Sequence, residues 1–280
     1  MRIEGSGGDM SMQIIPCEHD TLAGPVGAVT RPFESITLKE LEDAKAGLLT
    51  RVESKHLLTL DQCIALLDSL GKSYRILDVN NSRISRYDTL YYDTNSFFTF
   101  IQHHNGKGNR YKLRVRKYLS TDDIYLEVKK KNNKGATEKS RIKTSWPFDG
   151  FLPDQEEFLH SAFPYDFHNF FPVLRTVYDR LTLVSRVSPE RITFDTNISF
   201  STVHGSKSFP ELVIAEVKYE KGVRTSPALL ALHTMGLRKR GFSKYCIGVS
   251  LLYSWLKHNR FKPNLLFLSG LSSSPGGVSC

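Results

Sequence analysis

Three segments between residues 110 and 143 place a cation at nearly every second position. KLRVR carries Lys112, Arg114 and Arg116, LEVKKK carries Glu127, Lys129 and Lys131, and EKSRIK carries Lys139, Arg141 and Lys143. Alternate side chains of a β-strand share a face, so each run makes a charged row, backed in the first two by apolar rows of Tyr111, Leu113 and Val115 and of Ile124, Leu126 and Val128. Like charges directly opposite one another destabilise a sheet, so such rows need bulk water or an anion beside them. Later runs extend the pattern: Tyr178 falls on one face with Arg180, Arg191 with Thr193 and Asp195, and Glu216 with Lys218. Arg and Lys in this number suit a linear polyanion. Chemistry at phosphorus needs positioning and charge neutralisation more than a Ser, Cys or His nucleophile. The plain alternative is a solvated basic face.

Period-two alternation predicts strands over 86–94, 110–118, 124–131, 137–145, 174–185, 191–198 and 211–219, with an eighth at 49–55. Thr59 caps a helical pattern through Leu60, Ile64 and Leu67 that Gly71 stops, and Ser226 with Pro227 opens another that Gly236 closes. A third helix is expected over 245–258 and a short acidic one over 154–162. The fold class is therefore α+β with a large antiparallel sheet. Closed on itself, such a sheet makes a barrel with a charged tunnel inside and helices over its apolar outer face. Residues 1–30, rich in Gly, read as a flexible leader, and residues 263–280 as a flexible tail, leaving one domain over 31–262.

The chain has 280 residues, 40% hydrophobic and 24% charged, which excludes disorder for most of its length. Its formal net charge is +9, and residues 107–143, with thirteen cations against Asp122, Asp123, Glu127 and Glu138, account for all of it. A polyanionic partner follows from that concentration of charge. Cys17, Cys63, Cys246 and Cys280 show no metal or disulfide spacing. No stretch approaches the roughly 20 apolar residues of a bilayer span, and no secretory signal is present, so a cytoplasmic protein is expected. Tyr111 and Tyr125 form no common platform for stacking bases, which argues against nucleic acid. His103 and His104 beside an Asn/Gly turn read as surface residues. Lys107, Lys130, Lys131 and Lys134 read as cations that steer anions.

The runs RYDTLYYDT (86–94), HHNGKGNRYKLRVRKY (103–118), YLEVKKKNNKGATEKSRI (125–142), YDRLTL (178–183), RITFDTNISF (191–200), LVIAEVKY (212–219) and FSKYCIG (242–248) resemble, in order, the VTC domain family. That is the polyphosphate polymerase domain within the triphosphate tunnel superfamily. The resemblance implies an eight-stranded antiparallel tunnel barrel that holds a nucleoside triphosphate and a divalent metal, Mn or Mg. Its substrates would be ATP and inorganic polyphosphate, with any membrane partner supplied by another chain. Carried over by position, Arg114, Arg116, Lys129, Arg141 and Lys244 would act on the transferred phosphoryl group. Arg141 is favoured over its neighbours by strand parity. Lys55, Lys112, Lys139, Tyr178, Arg180, Arg191, Lys218 and Ser243 would hold phosphate, and Glu216 and Glu53 the metal.

The first strand, VESK, departs from the ExExK pattern of hydrolytic tunnel enzymes and keeps only Glu53 and Lys55. Polymer synthesis is therefore expected over triphosphate hydrolysis, with a non-catalytic polyphosphate or nucleotide binder as the remaining alternative. Neither a regulatory SPX domain nor membrane helices are visible, so export of product by this chain alone is not expected. Ser243 has a second reading as a helix cap, and Glu216 has one as a counter-ion of Lys218.

Overall fold

A computed structural model describes residues 25–45, 51–134, 136–146, 150–222 and 226–272. In chain order its elements are α1 (Pro25–Thr30), β1 (Ser35–Ile36), α2 (Leu38–Lys45), β2 (Arg51–Thr59), α3 (Leu60–Leu70), β3 (Tyr74–Leu77), β4 (Ile84–Asp93), α4 (Phe98–His104), β5 (Arg110–Tyr118), β6 (Asp123–Lys131), β7 (Thr137–Lys143), α5 (Pro153–Ala162), β8 (Phe171–Ser185), β9 (Glu190–Thr202), β10 (Gly205–Phe209), β11 (Leu212–Glu220), α6 (Pro227–Thr234), α7 (Lys244–Leu252) and α8 (Lys262–Ser272).

The eleven strands of the described residues belong to one sheet. Its main path runs β2-β11-β9-β8-β4-β5-β6-β7, antiparallel at every step, and these are the eight strands that alternation predicts. Among the described residues no ladder joins β2 to β7. Lys129 on β6 nevertheless lies within electrostatic reach of Glu53 and Lys55 on β2. The sheet is thus curled until strands far apart in the ladder face each other, as a tunnel barrel requires.

Apolar residues on the outer face are covered in two places. Leu58, Leu181, Leu183, Ile192, Phe194, Val213 and Val217 pack beneath α3 and α6, whose Leu66, Leu67, Ala228 and Leu232 are buried. Leu90, Leu113, Val115, Leu126 and Val128 pack beneath α5 and the aromatic segment Phe163, Phe167 and Phe170. The capping box expected at Thr59 is present: its hydroxyl accepts from the Gln62 N–H, and the Thr59 N–H donates to the Gln62 side chain. Ser226 caps α6 with a single bond, its hydroxyl accepting from the Leu229 N–H.

A third cluster lies inside the curl. Leu57, Leu174, Ile198, Phe200, Leu212 and Ile214 point inward and surround α7, with Phe100 of α4 and Leu268 of α8 behind it. In α7 the residues from Tyr245 to Ser250 are all buried, which fits KYCIGVSLL being apolar almost all round. Its Gly248 is a packing requirement: a Cβ there would lie 2.6 Å from Leu174 Cδ2 and 2.7 Å from Phe200 Cδ1. Asp93 ties this plug to the sheet, accepting from the Thr99 and Phe100 N–H groups at the start of α4 and from the Tyr245 hydroxyl.

The helix expected over 245–258 ends at Leu252, where Tyr253 leaves the helix and donates its hydroxyl to the Val173 carbonyl. The tail expected from 263 begins instead as part of α8, because Leu268 has an apolar cluster to enter. The leader expected up to residue 30 includes α1, which packs on α3. Residues 1–24, 49–50 and 273–280 lie outside the described residues. Three short strands were not signalled by alternation: β1 has two residues, β3 four, and β10 is polar and exposed over most of its length. No helix among the described residues is long and apolar enough to cross a membrane.

Candidate functional site

Strand register brings the expected residues to one inner surface. From β2 across the sheet, Lys55 stands opposite Glu216, which stands opposite Thr193; Glu53 stands opposite Lys218, which stands opposite Arg191. Arg180 pairs with Asp195, and Tyr178 with Tyr87. Arg116 pairs with Thr89 and Tyr125, Arg114 with Tyr91 and Glu127, and Lys112 with Lys129. On the last strand Lys139 pairs with Lys129 and Arg141 with Glu127. Tyr178 and Arg180 share this side of β8 by simple alternation, and a β-bulge on β9 at Asn197 (φ 49°) and Ile198, opposite Tyr178, shifts the inward parity from Arg191, Thr193 and Asp195 to Ile198 and Phe200.

Three carboxylates organise the cations, each holding two. Glu216 receives Lys55 Nζ at 2.7 Å and Lys218 Nζ at 2.6 Å. Asp195 receives the Arg180 fork, Nε at 2.5 Å and Nη2 at 2.8 Å, and also Lys244. Glu127 receives Arg114 Nε at 2.7 Å and Lys139 Nζ at 2.9 Å. Burial alone would raise all three carboxyl groups, but the paired cations outweigh it. Glu216 and Glu127 are held far below the usual range, and Asp195 is lowered to about 2. All three are charged at neutral pH.

Between these pairs stand cations of a different kind. Lys112, Arg116 and Lys129 have no ion pair among the described residues. Lys112 donates to the Ser243 hydroxyl at 2.7 Å and Arg116 to Thr89 at 3.1 Å. Burial, aided by neighbouring Arg114, Lys112 and Lys55, pushes the Lys129 amine down to about 8 despite the opposing pull of Glu53. Burial lowers the Lys112 and Lys244 amines too. Aromatic faces supply partial compensation. The Tyr87 and Tyr178 rings stack with centroids 5.1 Å apart, Arg180 and Arg116 lie 5.0 and 5.4 Å from the Tyr87 centroid, and Lys244 lies 4.0 Å from that of Tyr178.

Ser243 caps α7, and the same oxygen also faces the tunnel. Its hydroxyl accepts from the Cys246 N–H as the cap of α7 and from Lys112 as part of the tunnel wall. Lys244, first residue of α7, therefore enters the tunnel on the end of the plug. Arg141 and Lys139 share the tunnel side of an exposed edge strand: Lys139 reaches Glu127, whereas Arg141 lies 4.4 Å from the Tyr125 centroid. The histidines expected at the surface differ from that reading. His103 is half-buried with Nδ1 2.9 Å from the Cys246 sulfur, and burial plus Lys112 and Arg110 lowers its pKa to about 2.

The tunnel also contains residues to which the sequence reading assigns no role: Glu127, Asp195 and Thr193, named there only as sharing a face with cations, and Tyr87 and Tyr91. For Glu127, Asp195 and Thr193 a signal existed, since each shares strand parity with the cations. Tyr87 and Tyr91 lie within an expected strand, but nothing in the pattern tells their face from that of Tyr92.

A divalent metal can be tested against the donors present. Glu216 and Glu53 flank Lys55, which bonds Glu216 and lies 3.5 Å from Glu53. No cluster of three or more His, Cys, Asp and Glu fit to hold a metal occurs among the described residues. The donor set fits a hard cation that brings its own phosphate oxygens and waters, rather than a resident ion caged by protein.

The family model of the VTC domain matches residues 50–253. No curated protein sequence matches the chain. Among solved structures, similarity is found to a candidate adenylate cyclase of Vibrio parahaemolyticus, 14% identical over 72% of this chain and 98% of that one, with a TM-score of 0.42. A candidate adenylate cyclase of Bacillus halodurans is 12% identical over 69% and 94%, with a TM-score of 0.44. A Hippeastrum protein described as a candidate adenylyl cyclase with a dominant triphosphatase activity is 15% identical over 72% and 96%, with a TM-score of 0.42.

Proposed function

The chain belongs to the VTC domain family, and on that footing we propose that it is an ATP-dependent polyphosphate polymerase. The observation that carries this reading is the inner wall itself. Three carboxylates hold six cations in fixed positions, while buried Arg116 and half-buried Lys112 and Lys129 have no ion pair among the described residues. Cations kept in this way favour a guest that brings several negative charges in a row.

In the proposed reaction a terminal oxygen of the acceptor chain attacks the γ-phosphorus of ATP. The bond from that phosphorus to the β–γ bridging oxygen breaks, ADP leaves, and the chain gains one phosphate. No protein nucleophile takes part. Arg114, Arg116 and Lys129 neutralise charge on the equatorial oxygens of the transferred group, with Lys112 and Ser243 at one end of the row and Arg180, Arg191 and Lys244 at the other. Arg141 and Lys139 guard the edge near β7. Tyr178 supports the Arg116 and Arg180 guanidinium groups through its ring. A divalent metal, Mn or Mg, would be shared by Glu216, Glu53 and the phosphates, and would neutralise charge on the bridging oxygens when bound. Buried Arg and Lys donors read phosphate and not base, so tripolyphosphate should compete with ATP and adenosine should not.

A triphosphatase is the second reading, favoured by the same wall if water replaces the acceptor. Glu53 as the lone carboxylate of the first strand disfavours it. Incubation of the pure chain with ATP and Mn²⁺ or Mg²⁺ separates the two. ADP formed together with lengthening polyphosphate supports the polymerase, whereas orthophosphate released one for one with ADP, and no polymer, overturns it.

A further inference from the structure

Two hydroxyls on the tunnel side of the sheet are buried with no hydrogen-bond partner among the described residues, those of Thr176 and Thr193. Thr176 stands between Phe200 of the apolar cluster around α7 and Thr89, whose hydroxyl accepts from Arg116, and no carboxylate stands opposite it. Thr193 has different neighbours. It stands opposite Glu216 on one side and Thr182 on the other, and shares its strand face with Arg191 and Asp195. A continuous row, Thr182, Thr193, Glu216, Lys55, therefore crosses four strands.

Thr193 is 4% exposed, so water does not satisfy its hydroxyl from bulk. An unmet buried hydroxyl costs stability, and valine would keep the shape without that cost. The oxygen is also of the kind the site lacks. Glu216 and Glu53 cannot complete a cation's shell, and hard cations in phosphoryl-transfer sites accept a Ser or Thr hydroxyl beside carboxylate, phosphate and water.

We propose that the Thr193 hydroxyl is an oxygen donor to the divalent cation–triphosphate complex, next to Glu216. The inference rests on the triphosphate-binding reading above and adds a residue to it. In the free chain the hydroxyl stands idle. In the complex it enters the cation's oxygen shell, so the same group should have opposite effects on the two states.

Thr193→Val tests this with two readouts that need no turnover: the thermal midpoint of the ligand-free chain, and Mn²⁺ binding by electron paramagnetic resonance with tripolyphosphate present. The midpoint should stay or rise. Affinity for Mn²⁺ with tripolyphosphate should fall roughly 10-fold, the loss expected for one polar contact to a charged group. Thr193→Ser should restore it, and tripolyphosphate binding in EDTA should be equal in parent and valine variant. Equal Mn²⁺–tripolyphosphate affinity in parent and variant overturns the inference while leaving the tunnel reading intact. A lowered midpoint, or an equal loss in EDTA, overturns it too, because the hydroxyl is then structural or meets phosphate alone. A parent chain that binds no tripolyphosphate under any condition removes the underlying reading and the inference with it.

Discussion

Along β11 the inward side chains are Leu212, Ile214, Glu216 and Lys218 in succession, so one face of one strand passes from wholly apolar to wholly charged. The neighbouring strands change in step: Leu57 gives way to Lys55 on β2, and Ile198 and Phe200 lie beyond Asp195 on β9. The two halves differ in what meets them. Plug helix α7 fills the first and presents Lys244 to the second, so a single helix closes the apolar half and arms the charged half. Parity assigns a residue to a face, but only the third dimension says whether that face meets a helix or a ligand.

The contrast is sharpest in the responses of the two halves to truncation. Phe200, fully buried against Gly248 and Phe209, should cost about 3–5 kcal/mol when replaced by Ala. Gly248→Ala should cost about 1–3 kcal/mol, because its methyl group would press on Leu174 and Phe200 from less than 3 Å. Denaturant unfolding checks both. If either variant unfolds at the parent midpoint, α7 does not fill the apolar half as described.

Arg116 probes the other half, with an expected effect next in size. It is 7% exposed, has no ion pair among the described residues and donates to Thr89. Arg116→Ala removes a desolvated charge, so stability should hold to within about 1 kcal/mol, set by the lost neutral hydrogen bond. Tripolyphosphate affinity should fall roughly 10-fold or more, because a charge-assisted contact of about 1.5–3 kcal/mol is lost. Calorimetric titration beside denaturant unfolding reads the two quantities on one sample. Lys117→Ala is the matched control, since Lys117 pairs with Asp122. A loss of stability in Arg116→Ala as large as that of Phe200→Ala would erase the difference between the halves.

Much of this was legible in the sequence because a curled antiparallel sheet leaves a period of two. The rows at Lys112, Arg114, Arg116 and at Lys55, Glu216, Lys218 follow from that period and from the collinear motifs. The position of α7 does not, because KYCIGVSLL has no polar face to orient it, and a helix buried on all sides carries no directional signal. Leu212 and Ile214 share the parity of Glu216 and Lys218, and that parity alone does not say that they meet α7. The counter-ion roles of Glu127 and Asp195 depend on which strands become neighbours, and β9 lies beside β8 and β11 while β6 lies between β5 and β7. His103 meets Cys246 across 143 residues of chain, a contact that no local pattern announces.

Lys129 should show the smallest effect, and the one with opposite signs for folding and for binding. Its amine titrates near 8 in the folded chain against 10.5 for an ordinary lysine, because burial and the cations Arg114, Lys112 and Lys55 outweigh Glu53. Between these values the unfolded chain holds the proton and the folded chain does not. The unfolded state then binds more protons, so stability rises with pH across that window, and below it the charged amine costs the fold. A polyanion needs the amine charged, so binding above pH 8 must take up a proton and its affinity falls with rising pH, by at most about tenfold per pH unit. Lys129→Met removes both slopes together. Titrating parent and Lys129→Met with tripolyphosphate from pH 7 to 10, and taking the ratio of affinities, cancels the ligand's own ionisation. A ratio that shrinks towards one as pH rises through about 8, with stability of the parent climbing over the same range, is the expected result. A ratio flat in pH would mean that Lys129 is already fully charged in the free tunnel, and that the uncompensated wall is less costly to the fold than its burial implies.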